Sequence, residues 1–319
     1  MYLRRSAAAL LSVLGLAALV LWSGGAMEGA RRGLDTCARV LIPSLFPFFI
    51  MSALLRHTGA VYALARAASP VMPRLFGVPG AGAAALVVGL AGGYPIGAAT
   101  SAALVRSGDI SREEGERLLA FCNNSGPAFL VGTAGVGVFG SASIGLLLYA
   151  SNALAALLTG ALLRSGAPQH ISPPPAPGEA RGGALTEAVA SSVSGMLSVC
   201  GYVVAFSALT GAMESAGVFS LLSGELAMHT PLGLHLSRAL LAGFLELGSG
   251  LSALSGLPAS PLALSAASLL TSWGGLSVHM QTAAVVASAG LSLRRHTAGK
   301  LISSAMSAAL TYAAARLLL

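Results

Sequence analysis

Glu246 is the residue whose type and position most invite a chemical role. It stands in the run Leu240-Leu241-Ala242-Gly243-Phe244-Leu245-Glu246-Leu247-Gly248-Ser249-Gly250-Leu251, and Arg238 and His235 are the nearest other ionisable residues. A charge at bilayer depth costs about 2.5–3.5 kcal/mol on insertion scales, so by default it marks a functional site. The chemistry open to it is to bind a coupling proton or sodium ion, or to contact a substrate. The plainer alternative is a protonated carboxyl packed on a neighbouring helix, or a side chain that snorkels to an interface. Three further clusters set polar groups or broken backbone among apolar residues: Gly93-Tyr94-Pro95 with Gly97, Asn123-Asn124-Ser125, and Ser272 with Gly274, Gly275, His279 and Gln281. Each break frees N–H and C=O groups that lipid cannot satisfy, so they must face protein or a water-filled cavity. A helix N-terminus after Gly93 or Gly274 would offer donors to a carboxylate or phosphate, whereas helix C-termini and amides suit cations. Taken singly, each has a structural alternative. Asn124 can satisfy nearby backbone, Ser272 can cap, His279 can be a satisfied core histidine, and a proline can simply kink a helix.

The elements that must position these groups are membrane helices. Hydrophobic residues make up 55% of the 319, charged residues only 9%, and the mean hydropathy is +0.79. Soluble domains carry about 25% charge. The composition therefore predicts an all-α polytopic membrane protein, with the lipid bilayer as its main partner. The net charge of +7 does not point to nucleic acid, because the basic residues are scattered at the ends of apolar segments. Cys37, Cys122 and Cys200 are far apart with no CxxC pair, so neither a disulfide framework nor a metal site is expected. No organic cofactor is implied, and a homo-oligomer is left open.

Along the chain, residues 1–30 read as an N-terminal transmembrane helix, a signal anchor in preference to a cleaved signal. Residues 31–164 and 185–319 then share one plan: helix, amphipathic stretch, short glycine-broken segment, broken helix, helix. A proline-rich linker, 165–184, separates them and reads as an extended cytoplasmic tether. If the short segments 81–106 and 232–257 enter and leave on one side, each half crosses three times, and the second half is inverted relative to the first. The expected fold is thus an inverted repeat with two re-entrant hairpins, two broken transmembrane helices and seven full spans. With the N-terminus inside, all basic residues except Arg31, Arg32, Arg39, Arg238 and Arg316, and so Lys300 too, fall on the cytoplasmic side. Paired broken segments at corresponding points of inverted repeats recur in secondary transporters, whose site lies near the midplane.

Four motifs in order carry a family resemblance: Pro43-Ser44-Leu45-Phe46-Pro47-Phe48, Gly93-Tyr94-Pro95-Ile96-Gly97-Ala98, Asn123-Asn124-Ser125-Gly126-Pro127-Ala128-Phe129 and Gly274-Gly275-Leu276-Ser277-Val278-His279-Met280-Gln281. Over about residues 28 to 318 the chain resembles the YlbJ (SpoVV) sporulation integral membrane proteins, which carry the nucleoside-recognition Gate domain. The resemblance implies a fold related to concentrative nucleoside transporters and a role in moving dipicolinic acid across a forespore membrane. On that reading Gly93, Tyr94, Pro95, Gly97, Asn123, Asn124, Ser125, Ser272, Gly274, Gly275 and Gln281 are candidate substrate-binding residues. Glu246 and His279 are candidates for coupling or substrate contact. A nucleoside transporter of the same fold is the first alternative. An intramembrane hydrolase, with Ser125 or Ser277 as nucleophile and His279 as base, is the enzyme alternative. It is disfavoured, because Ser277 and His279 lie on different helix faces and no GxSxG or HExxH motif is present. A non-transporting scaffold would leave Glu246 without a role.

Overall fold

The structure is a computed structural model and describes residues 2–57, 60–165 and 183–318. Among these, every regular element is helical. In the first half α1 (Tyr2–Leu21) and α2 (Ser23–Thr36) lead through a π-helical stretch, Cys37–Leu41, into α3 (Ile42–His57). Short helices α4 (Ala60–Ala68) and α5 (Val71–Phe76) precede a hairpin of α6 (Ala83–Gly92) and α7 (Ile96–Arg106). Next come α8 (Arg112–Cys122), a π-helical stretch Ala128–Val138, and α9 (Ala142–Leu162). The second half holds α10 (Ala184–Ser215), α11 (Val218–His229), a hairpin of α12 (Gly233–Leu245) and α13 (Leu247–Ser252), then α14 (Pro261–Trp273), α15 (Gly275–Val286) and α16 (Arg294–Leu318).

The helix starts follow from local chemistry. Ser111 and Glu114 form a reciprocal capping box at α8, and Ser260 caps α14, where Pro261 takes the first turn. Four continuous helices are long and apolar enough to span a bilayer: Ser23–Met51, Ala142–Leu162, Ala184–Ser215 and Arg294–Leu318. The shortest has 21 residues, about 31 Å at 1.5 Å per residue against a hydrocarbon core of about 30 Å. Their outer faces are apolar and uncovered: Leu34, Leu146, Leu197 and Leu301 are all more than half exposed. That is the surface of a protein whose solvent is lipid.

Several expectations change. Where seven spans were expected, four continuous helices qualify among the described residues, and the segments expected to be broken each consist of two shorter helical pieces. The kinked element expected at about 40–55 is the end of a longer helix. It starts at Ser23 and absorbs Pro47, with wider π-helical turns at Cys37–Leu41 that relax the hydrogen-bond ladder just before Pro43. Arg31 and Arg32, expected on the side away from the cytoplasm, lie on α2, and Arg32 pairs with Glu214 at 2.8 Å. Glu214, expected in an amphipathic stretch, ends α10 and also holds Arg238 at 3.0 Å. The linker falls mostly outside the described residues.

Close helix contacts are made by small residues. Gly25, Gly29 and Gly33 of α2 lie on one stripe against Ser207, Gly211 and Ser215 of α10, and a Cβ at Gly29 would come within 2.2 Å of the Ser207 carbonyl oxygen. Helices α14 and α16 are joined instead by hydroxyls. Ser268 meets Ser307 at 2.7 Å, Thr311 donates to Ser268 at 2.7 Å, and Ser272 meets Ser303 at 3.1 Å.

Candidate functional site

Each hairpin closes on one backbone break. In the first, the Cys122 carbonyl at the end of α8 fits between Gly89 of α6 and Gly97 of α7, where an added Cβ would lie 1.8 and 2.1 Å away. Gly93, at φ +80°, meets the Gly126 backbone in the same way. In the second, Gly275 at the start of α15 packs on the backbone of Gly243, Leu245 and Leu247. The two breaks are tied to each other through one carbonyl. Thr271 O accepts from the Tyr94 hydroxyl at 3.0 Å and from Ser125 Oγ at 2.7 Å.

These contacts enclose a cavity of about 60 Å³ lined by Gly92–Tyr94, Ser125, Gly126, Glu246–Gly248, Ser277 and Gln281, with Leu41, Phe129 and Val203 among its apolar walls. Three of the breaks, from both halves of the chain, line it directly, and the fourth contributes through Ser277 and Gln281 of α15, the helix that starts at it. Glu246 stands in the gap between α12 and α13 and caps α13. Its Oε1 accepts from Gly248 N at 2.8 Å, and its Oε2 accepts from Ser249 N at 2.6 Å and Ser249 Oγ at 2.8 Å. Three donors on a side chain only 2% exposed are what let a carboxylate sit there.

The structure sorts the other candidates. Gly93, Tyr94, Ser125, Glu246 and Gln281 line the cavity, while Pro95 lies in a separate groove near Thr100. Gly97 and Gly275 pack on neighbouring backbone, and Gly274 lies against the Tyr94 side chain. Asn123 braces α7 and α15, accepting from Ala98 N at 3.3 Å and donating to Thr282 Oγ1 at 3.0 Å. Ser272 belongs to the α14–α16 ladder. The Asn124 amide is engaged on both sides: it donates to Phe121 O at 2.7 Å and accepts from Lys300 Nζ at 3.0 Å. His279 Nδ1 meets Gly275 O at 2.9 Å, and its ring packs against Trp273 with centroids 4.2 Å apart and the planes tilted by 38°.

Lys300 corrects the sequence reading most sharply. Counted there as a cytoplasmic charge, it is 1% exposed, and its ammonium lies 5.1 Å from the centroid of the Tyr94 ring. It is the one lysine in a chain whose other basic residues are all arginines. A signal was available. His296, Lys300, Ser303, Ser307 and Thr311 recur at helical spacing and form the buried face of α16.

A helical membrane protein with broken helices around a polar midpoint belongs to the class of multi-pass integral membrane proteins. Residues 38–167 match the Gate family, described as nucleoside recognition. The chain is 33% identical over 285 residues to the sporulation integral membrane protein YlbJ of Bacillus subtilis (strain 168), an alignment covering 81% of this chain and 70% of that protein. The chain belongs to the family of YlbJ sporulation integral membrane proteins. No solved structure matches it.

Proposed function

We propose that the protein is a membrane transporter for a small aromatic carboxylate, dipicolinic acid entering the forespore during sporulation. The supporting observation is that three backbone breaks, from both halves of the chain, and the helix that starts at a fourth line one small cavity. At about 60 Å³ this space holds a few waters, so the cavity must widen to admit a solute. In this reading the two halves are an inverted repeat, the α6–α7 and α12–α13 hairpins are re-entrant, and the break residues release and regain hydrogen bonds as the halves rock. Linker 165–184 tethers the repeats on the cytoplasmic side.

Glu246 favours a second reading. An ionised carboxylate on the wall repels a dianion but accepts hydrogen bonds from sugar hydroxyls and base N–H groups, as a nucleoside would offer. The Gate description supports the same alternative. Catalysis has less support, because Ser125 Oγ donates to a backbone carbonyl and not to a base. The test is uptake by the purified protein in liposomes of dipicolinate, picolinate and uridine in parallel. Dipicolinate is expected to be taken up fastest. Preference for uridine would move the protein to the nucleoside class, and no uptake of any of the three by folded protein would remove transport altogether.

A further inference from the structure

Behind the Tyr94 wall lies a second polar cluster that the cavity does not use. His296 stands one helical turn before Lys300 on α16, and its ring lies 5.1 Å from that of His279, with the two planes tilted by 58°. His296 Nδ1 meets Leu119 O at 3.1 Å, and His279 Nδ1 meets Gly275 O at 2.9 Å. A carbonyl oxygen only accepts, so in each ring Nδ1 carries the proton and Nε2 is a bare lone pair. Both Nε2 atoms are buried and lack a partner. Lys300, one turn along α16 from His296, carries N–H donors on the same buried face, although it is hydrogen-bonded to neither Nε2. Of its three N–H bonds, the hydrogen bond to Asn124 Oδ1 uses one. Among the described residues no carboxylate lies within 4 Å of Nζ. Other titratable groups on elements packed against the cluster are few. Tyr94 lies under the ammonium and Cys122 is buried at the end of α8. Further back on α8, Glu114 is engaged in the capping box, Arg117 donates to Gly77 O, and Glu116 holds Arg112 and the Ser292 N–H. On α9 the one titratable side chain is Tyr149, which donates to Leu90 O, and α14 has none.

We propose that Lys300, His279 and His296 form a proton-binding site in the membrane interior, in which one proton is shared between Nζ and the two Nε2 atoms. Transfer requires Nζ and an Nε2 to close to hydrogen-bond distance, which they do not hold in this structure; it then breaks an Nζ–H bond and makes an Nε2–H bond. It leaves a neutral amine and an imidazolium, and the total charge is unchanged. A lysine can do this where an arginine cannot, because guanidinium does not release its proton. The site gives the transporter a coupling proton at a place other than Glu246.

The coupling half of this proposal rests on the transporter reading, whereas the shared proton does not, so the two are tested apart. With a single lysine in the chain, [15N]lysine labelling yields one Nζ signal in the purified full-length protein. In ligand-free protein that signal is expected to change with pH together with the two imidazole signals. His296→Asn is expected to move the Nζ interval by about one pH unit or more, as for strongly interacting sites. An unmoved interval in folded His296→Asn and His279→Asn proteins would overturn the site. For coupling, Lys300→Arg in liposomes is expected to keep dipicolinate counterflow but lose accumulation driven by an imposed pH gradient. Accumulation equal to wild type would overturn the coupling role. Should the arginine variant fail to fold, Lys300→Met is expected to lose gradient-driven accumulation likewise, and accumulation by that variant would overturn the coupling role too.

Discussion

At the scale of single residues, Glu246 and Asn124 both make hydrogen bonds inside the protein, but only Glu246 also faces the cavity. Glu246 gathers three donors and fixes the start of α13, so its charge is structural as well as cavity-facing. Glu246→Ala is expected to cost about 1–2 kcal/mol of stability, the usual worth of a helix cap, read as a lower melting temperature in detergent. Glu246→Gln keeps a carbonyl acceptor, so it is expected to recover about half of that loss while transport, or its ion dependence, stays impaired. Normal transport with unchanged ion dependence would make Glu246 purely structural. Asn124, by contrast, is spent inside the protein. Asn124→Ala takes the acceptor from a buried ammonium and is expected to destabilise by about 1.5–3 kcal/mol. Ser125 lines the cavity and makes one internal bond. Ser125→Ala is expected to weaken substrate binding about tenfold, equivalent to about 1.4 kcal/mol, with a smaller shift in melting temperature than Asn124→Ala. Equal melting shifts for the two variants would show that the sorting of these neighbours is wrong.

The elements are held by contacts too close for side chains. Helix α2 makes its seam with α10 through Gly25, Gly29 and Gly33, while Gly24 one position away has nothing within 4 Å of an added Cβ. Gly29→Ala must push the helices apart, because the obstacle is the backbone of Ser207. It is expected to lower the yield of monodisperse protein in fluorescence-detected size exclusion. Gly24→Ala has open space and gains helix propensity, worth up to about 1 kcal/mol, and is expected to match or exceed wild type. Similar profiles for the two would mean that α2 does not pack on α10 through this stripe. Both hairpins follow the same rule. Their glycines let a helix end approach within backbone contact, so the breaks are clamped and not loose.

For the whole molecule, the proposed inverted arrangement makes a topological prediction. In a background lacking Cys37, Cys122 and Cys200, single cysteines placed at Gln169 and Glu225 are expected to be labelled from opposite sides of the membrane by an impermeant reagent. Gln169 lies outside the described residues, so this experiment also places the linker. Labelling of both from one face would remove the inverted repeat while leaving the cavity and its lining as described.

Much of the architecture was legible in the sequence because it rests on local properties. Apolar length decides membrane crossing, and Gly92–Gly97, Asn123–Pro127 and Gly274–Gly275 interrupt helices wherever those helices are placed. These features located all four breaks and flagged Glu246 as an anomaly. Tertiary structure alone decided which way each side chain faces, because that depends on how a helix is rotated against its neighbours. It turned Lys300 from a surface charge into an interior one and brought His279 to His296. It also gave the Asn124 amide to Lys300 while leaving Ser125, the next residue, on the cavity wall. In a membrane helix both lipid-facing and protein-facing sides tolerate apolar residues, so hydropathy reports the crossing and says little about rotation. Only the packing of α14, α9 and α8 around α16 determines that its polar stripe points inward.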